Sequence, residues 1–169
     1  NVYGAVTWGQ FFVYQGFNQH CGWMHTSSSV DVSDMYIEKL LKKNNSLFYE
    51  FDKSEKPVGE RAITLRYKAG DSLRSKTVKT YFTHHGPVMA KRNGEWISVR
   101  SYNRSLTSLV QSWQRTKSTG FESFKKTMEL QSNTSNNTVF ADDKGNIAYW
   151  HGNFVPRRDR GLDWAKPVD

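Results

Sequence analysis

Apolar and polar residues alternate in several short stretches of the first 102 positions, which is typical of β-strands with one buried face. This alternation predicts strands at 62–67, 76–83 and 96–102. The apolar run at 11–14 and the mixed segment at 35–40, both near turn residues, predict two further strands. We expect those at 35–40, 62–67 and 76–83 to pair antiparallel. The polar segments at 44–45 and 52–59 are interpreted as surface turns.

After residue 105 the apolar spacing changes to three and four, which is the period of an amphipathic helix. The residues with this spacing are Leu106, Leu109, Val110 and Trp113. We predict a helix there, with Ser105 or Thr107 as its N-cap, and a second helix over 121–130 that starts after Gly120. Strands at 138–141 and 147–150, joined by a tight turn, should form a hairpin.

The bulk composition limits the class of protein. A length of 169 residues, with 37% hydrophobic and 14% aromatic residues, suffices for a single domain, 1–169, with its own core. The net charge is +8, but the basic residues are scattered among acids, so we expect no nucleic-acid partner. The single cysteine, Cys21, excludes an internal disulfide and a thiolate metal site. No apolar run approaches the roughly 18 residues of a membrane helix, so no membrane span is expected.

Three groups of short motifs follow one another along the chain. The first runs as GFNQHCGWMHT at 16–26 and leads into DVSDMYIE at 31–38. The second is THHGPV at 83–88. The third consists of NTVFAD at 137–142, KGNIAY at 144–149, Gly152 and PRR at 156–158. Each motif is weak alone, but three groups in order that reach both ends of the chain are hard to produce by chance.

These motifs resemble the penicillin acylase family. Its members carry Gly-His-Asn and Trp-Gly-x-Thr before an Asp-x-x-Asp-x-Tyr-x-Glu run, then His-Gly-Pro-Val, and then Asn-x-x-x-Ala-Asp, Gly-Asn-Ile-Gly-Tyr and Gly-x-x-Pro-x-Arg. The chain departs from this pattern at Phe17, Met24 and Ala148, which leaves the subfamily open. The resemblance implies an α+β fold: the β-rich portion of a four-layer αββα sandwich, with antiparallel sheets face to face and two helices outside.

The resemblance also implies an N-terminal-nucleophile amidohydrolase that cleaves a linear amide, such as a penicillin-type side chain or an N-acyl homoserine lactone. Such an enzyme exposes a Ser whose own α-amine is the base, and the reference pKa of an α-amine, about 7.7–8.0, suits that role. Asn1 cannot be this nucleophile, so we expect the Ser upstream of it and this chain to be an internal piece of the nucleophile-bearing β subunit. The implied partners are the α subunit and the N-terminal part of the β subunit. We expect a periplasmic or secreted parent protein and no activity from this chain alone.

Within this chain, the resemblance implies groups that stabilise the developing oxyanion. The backbone N–H of Ser27 and the side-chain amide of Asn137 match the family's donors, with Asn136 as the neighbouring alternative. Arg158, or else Arg157, matches the arginine that supports the site. Residue types alone leave another reading open, in which Asn137 is a turn or strand-start asparagine and Arg158 is a solvated surface charge.

Asp31 and Asp34, with the carbonyl of Ser33 between them, match positions where family members bind calcium. Ca²⁺ takes about six to eight oxygen ligands, so these groups supply only part of its shell. The alternative is an acidic pair at the entry to a strand. A structural calcium ion is the only cofactor that the resemblance implies.

A function of another class also stays open: a stand-alone β-rich ligand-binding module without catalysis. Such a module would need a surface of exposed Trp and Tyr with interleaved Lys. The six tryptophans instead fall mostly on apolar strand or helix faces, which favours the hydrolase.

Overall fold

Thirteen β-strands and two α-helices form the chain, in a computed structural model that describes all 169 residues. In chain order they are β1 (Val2–Ala5), β2 (Gln15–Asn18), β3 (Cys21–Ser27), β4 (Ser33–Glu38), β5 (Leu40–Lys43), β6 (Ser46–Phe51), β7 (Ser54–Pro57), β8 (Gly59–Ala69), β9 (Ser72–Phe82), β10 (Val88–Arg92), β11 (Glu95–Ser101), α1 (Leu106–Arg115), α2 (Phe121–Met128), β12 (Asn136–Asp142) and β13 (Ile147–Trp150). Neither helix is long and apolar enough to cross a membrane.

Contacts between residues divide the chain into two compact units. The first unit consists of 1–32 and 102–158, and the second unit consists of 33–101 and 159–169. The sequence-based expectation of one domain over 1–169 stays a prediction.

An antiparallel five-stranded sheet, in the order β1-β2-β3-β12-β13, organises the first unit. Side chains alternate along β12, so Thr138 and Phe140 are buried on one face while Asn137 and Val139 lie on the other. The core on the buried face consists of Cys21, Trp23, Phe124, Met128 and Phe140. Because two of these side chains come from α2, the helices cover the buried face and leave the face of Asn137 open.

Asp142, the aspartate of the Ala-Asp pair, is hydrogen-bonded both to the Gly-Asn-Ile turn and to the start of α2. Its Oδ1 accepts hydrogen bonds from the backbone N–H groups of Lys144, at 3.1 Å, and Asn146, at 2.9 Å. Its Oδ2 accepts from the backbone N–H of Phe121, the first residue of α2, at 3.0 Å. One carboxylate therefore closes the β12–β13 turn and satisfies a free donor at the start of α2.

The second unit contains three separate antiparallel sheets. β4, β10 and β11 form one in the order β10-β11-β4, and β5, β6 and β7 form another in chain order. β8 and β9 form a hairpin with strands of 11 residues each.

The His-Gly-Pro-Val motif has a structural partner in this unit. Glu38 is 3% exposed, and its Oε1 accepts hydrogen bonds from the side chains of Thr83, Ser98 and His85. Burial raises the pKa of Glu38, but these three hydrogen bonds lower it by more, so the pKa lies below its ordinary value. A buried carboxylate thus joins β4, β11 and the loop that carries the motif.

Most of the predicted elements are confirmed, with small shifts at their ends. Both helices, the hairpin of β12 and β13, and the strand at 96–102 are present. Ser105 is the N-cap of α1, and its Oγ accepts from the N–H of Ser108 at 3.2 Å. The strands at 62–67 and 76–83 pair antiparallel within β8 and β9, as expected.

Three local predictions are wrong. The strand at 35–40 pairs as β4 with β11, not with β8 or β9. The segment 11–14 is irregular, and the strand begins after it, as β2. Of the three aromatic residues in the segment, only Phe12 is deeply buried. The segment 52–59 contains β7, an edge strand that ends at Pro57, where a missing N–H is tolerated.

Candidate active site

Asn137 lies on β12 opposite Thr26 of β3, on the face of the sheet that the helices do not cover. Its Oδ1 accepts a hydrogen bond from the backbone N–H of Gly152 at 3.1 Å. Its Nδ2 donates to Thr26 Oγ1 and to the carbonyl of Ser27, both at 3.2 Å. Because a backbone N–H can only donate, the contact with Gly152 fixes the orientation of the amide and directs its donors toward β3.

Gly152 holds this orientation through a conformation that favours glycine. Its φ of 60° lies in the left-handed region. A Cβ atom there would lie 3.0 Å from Val30 Cγ2 and 3.2 Å from the carbonyl oxygen of Thr134. The glycine of the Gly-x-x-Pro-x-Arg motif is therefore required for the chain to approach Asn137.

Ser27 ends β3, opposite Asn136 in the register. The N–H of the next residue, Ser28, donates to the carbonyl of Ser135 at 2.8 Å. Hydrogen-bonded and non-hydrogen-bonded pairs alternate in an antiparallel ladder, so the N–H of Ser27 is directed away from β12. The structure thus brings the Asn137 amide and the Ser27 backbone together, and it leaves the Ser27 N–H outside the ladder with β12.

Arg158 is held in place and is not a solvated surface charge. Its Nη2 lies 3.3 Å from Asp31 Oδ2 and donates to the carbonyl of Asp31 at 3.2 Å, and its side chain is only 15% exposed. The neighbouring Arg157 is exposed. This difference favours Arg158 over Arg157 as the match to the family arginine.

Of the three proposed calcium ligands, Asp31 belongs to the first unit and Ser33 and Asp34 belong to the second. The carboxylate of Asp31 is engaged by Arg158. Asp34 lies in β4, where it is 1% exposed and is the register partner of Arg100. No group of three or more His, Cys, Asp or Glu side chains is arranged to hold a metal ion. Two carboxylates and the Ser33 carbonyl fall short of a calcium shell, so calcium binding by Asp31, Ser33 and Asp34 stays a prediction.

A buried polar network that the sequence did not reveal supports the segment before Asn137. Gln111 of α1 is fully buried, and its Oε1 accepts from the N–H of Ser132 at 3.2 Å, from the Ser132 hydroxyl, and from Asn153 Nδ2 at 3.2 Å. Ser132 precedes β12, and Asn153 follows Gly152. One side chain therefore fastens both chain segments that hold the Asn137 amide. The sequence does carry one sign of this network: the polar residues of α1 that lie on the side of the helix opposite its apolar residues.

His25 and Arg115 lie behind Asn137, on the helix side of the sheet. His25 Nδ1 is 3.0 Å from Thr138 Oγ1 and 3.3 Å from the carbonyl oxygen of Asn137. Burial, with the nearby Arg115 charge as a second cause, lowers the pKa of His25 to about 4. Arg115 is 1% exposed, and burial lowers its pKa to about 10. The imidazole is therefore neutral and the guanidinium charged at neutral pH.

Comparison with known proteins agrees with the motifs. The family model described as penicillin amidase matches residues 1–169. The chain belongs to the penicillin amidase family. It is 29% identical over 171 residues to the acyl-homoserine lactone acylase PvdQ of Pseudomonas putida. The alignment covers 96% of this chain and 22% of that protein. The chain is 33% identical over 86 residues to the acyl-homoserine lactone acylase QuiP of Pseudomonas fluorescens. That alignment covers 51% of this chain and 10% of QuiP.

A solved structure extends the agreement to the fold. The thermostable penicillin G acylase from Alcaligenes faecalis matches 99% of this penicillin amidase family chain with a TM-score of 0.77 and 25% identity. The expected fold, a sheet-rich portion of a penicillin acylase with two helices and antiparallel sheets, is therefore confirmed. The chain spans about a fifth of the length of PvdQ and 30% of the solved acylase chain.

Proposed function

We propose that the parent protein is an amidohydrolase that cleaves a linear amide with an N-terminal Ser outside this chain. The observation that carries the proposal is the Asn137 amide, which Gly152 orients toward the backbone of Ser27. Membership of the penicillin amidase family supports the reaction class. The substrates we propose are N-acyl homoserine lactones, by likeness to PvdQ and QuiP, or penicillin-type amides, by likeness to the solved acylase.

In the proposed mechanism, this chain stabilises charge and does not form the covalent bond. When a nucleophile attacks an amide carbonyl, the carbonyl oxygen gains nearly a full negative charge, and a fixed donor stabilises this state more than the ground state. Asn137 Nδ2 and the N–H of Ser27 are the proposed donors. Because Nδ2 contacts Thr26 Oγ1 and the Ser27 carbonyl, we expect an incoming oxyanion to replace the Thr26 hydroxyl as its partner.

The same proposal gives roles to Arg158 and to the parts of the parent protein outside this chain. Arg158 would add positive charge near the loop after β3, and the other segments of the parent, including an α subunit and the N-terminal part of the β subunit, would supply the nucleophile and the acyl pocket. Export to the periplasm or the medium is the proposed location, by analogy with the family.

Asn137→Asp in the complete, processed parent protein is the sharpest test of this function. The aspartate keeps an oxygen for the Gly152 N–H but has no N–H to donate, so the fold should survive while the donor is lost. We expect kcat for amide hydrolysis to fall by roughly 100- to 1,000-fold, with a much smaller change in KM. Asn137→Ala should give a loss of similar size.

Asn136→Ala is the matched control, because adjacent residues of a strand point to opposite faces. It should leave kcat nearly unchanged, and the 169-residue chain alone, without the Ser, should show no hydrolysis above background. A loss at Asn136 and not at Asn137 would place the donor one residue away. If neither substitution slows hydrolysis, Asn137 is not an oxyanion donor. If the unsubstituted parent protein hydrolyses no linear amide, the hydrolase proposal fails and the ligand-binding module replaces it.

A further inference from the structure

Helix α1 has its polar side chains buried and its apolar side chains exposed, the reverse of an ordinary surface helix. The buried side chains of α1 are Ser108, Gln111, Ser112 and Arg115. The exposed ones are Leu106 at 80%, Leu109 at 40%, Val110 at 44% and Trp113 at 44%. The polar network below the helix requires this orientation, so the apolar stripe cannot turn inward without breaking the hydrogen bonds of Gln111.

The exposed stripe continues beyond the helix. Phe11 is 67% exposed, and its ring lies 5.8 Å from the ring of Trp113. A groove of about 500 Å³ lies beside the start of α1, between Leu106 and Leu109 on one side and Phe12 and Tyr14 on the other. We name this surface the α1 docking face: Leu106, Leu109, Val110, Trp113, Phe11 and the adjoining groove.

Contiguous apolar surface of this kind on a soluble protein marks a contact with another element. The charges around the docking face restrict the chemistry of that element. α1 contains no acidic residue, Arg104 precedes it, and Lys117 follows it with its Nζ 4.5 Å from the centre of the Trp113 ring. The chain as a whole carries a net charge of +8. A complementary segment would be apolar in the middle and acidic at its edges.

A second copy of this chain does not meet that requirement. Two docking faces in contact would bring Arg104 and Lys117 of each copy close to the same positive charges of the other, without a carboxylate on α1 to pair with them. Like charges at an interface oppose association. The charge pattern therefore favours a different segment over self-association.

We propose that the α1 docking face packs against an apolar, acid-edged segment of the same parent protein, outside residues 1–169. PvdQ and the solved penicillin G acylase are longer than the part that this chain matches, which covers 22% and 30% of them, so proteins of this family carry ample further chain. A large apolar side chain of that segment enters the groove beside Leu106 and Leu109. This inference rests on family membership and not on the proposed chemistry of Asn137.

Photochemical cross-linking in the complete parent protein can identify the occupant. Val110 and Leu106 are replaced, in separate variants, by p-benzoylphenylalanine, and Lys144 serves as the control, since it is exposed in the polar turn between β12 and β13 and is not part of the docking face. Leu106 lies at the edge of the face, so the variant at Leu106 remains informative if the one at Val110 does not fold. Mass spectrometry then locates the cross-linked peptide.

We expect cross-links from Val110 or Leu106, and not from Lys144, to a peptide of the same parent outside 1–169 that contains Asp or Glu within a turn of its apolar residues. Cross-links within a dimer to a peptide of 1–169, or no cross-link above the Lys144 level, would overturn the proposal. Amide hydrolysis is measured on the same samples, so loss of the proposed function and loss of the proposed docking can be distinguished.

Discussion

Acid is expected to destabilise the first unit between about pH 6.5 and pH 4 through one side chain, His25. The ring is packed against Tyr14, with centroids 4.9 Å apart, and its Nε2 has no hydrogen-bond partner. Arg115 is buried nearby, and its Nη2 donates to the carbonyl of Tyr14 at 3.3 Å. Protonation would therefore place a second positive charge in a buried region that already holds an unpaired one.

The size of the effect follows from the pKa. Burial and then the charge of Arg115 lower the pKa of His25 from 6.5 to about 4 in the folded protein. As the pH falls below 6.5, the unfolded chain binds a proton at this position and the folded chain does not, so the free energy of unfolding falls. A separation of this size corresponds to about 3 kcal/mol at the acid end of the window, and the full stability returns above pH 6.5.

Hydrogen–deuterium exchange at the imidazole C2 position, followed by mass spectrometry across a pH series, measures the pKa of His25 in the complete parent protein. Arg115→Met should raise that pKa, because it removes the charge and keeps the burial, whereas the matched control Lys117→Met removes an exposed charge and should leave it unchanged. An exchange midpoint near 6.5 in the folded protein would refute the reasoning. So would a midpoint that does not respond to Arg115→Met.

Two further predictions test the support of the site and the metal. Gln111→Leu leaves buried donors of Ser132 and Asn153 without an acceptor, so it should lower the free energy of unfolding by about 2–4 kcal/mol and speed amide exchange over 131–135, while Gln114→Leu on the exposed side should do neither. Calcium added to the chelator-treated parent protein should raise its melting temperature, since a ligand that binds only the folded state stabilises it. Asp31→Ala should abolish that rise, and an unchanged melting curve in the unsubstituted protein would leave the acidic pair purely structural.

The sequence predicted elements well where one local signal decided the structure. The change of apolar period near residue 105 located α1, the apolar residues that follow Gly120 located α2, and the Asp-Lys-Gly-Asn stretch located the last hairpin. It failed at 11–14, where the aromatic run looks like a strand but Phe12 is buried in the groove beside α1. Strand pairing also failed for 35–40, because alternation identifies a strand without identifying its neighbour.

In the candidate site, too, the residues that belong to a short motif could be predicted, and those that depend on distant contacts could not. The motif at 137–142 contains the asparagine whose amide faces β3, and the Gly-x-x-Pro-x-Arg motif contains Gly152, whose N–H holds that amide. The parts that were not predicted, Gln111 and the low pKa of His25, depend on contacts between residues 21 to 112 positions apart. No short motif encodes such contacts, although polar residues on the inner side of an amphipathic helix were a usable signal.

The pairing of Arg158 with Asp31 joins two roles that the motifs kept separate. Arg158 approaches both the carboxylate and the carbonyl of Asp31, so the segment after Gly152 is fastened to the loop after β3. These two segments also hold the Asn137 amide, since Gly152 donates to its Oδ1 and Ser27 accepts from its Nδ2. A calcium ion at Asp31 would compete with the guanidinium for the same oxygen atoms, because both are cations. If calcium binds at Asp31 as proposed, we therefore expect it to influence the candidate site by displacing Arg158, without any contact between the ion and the substrate.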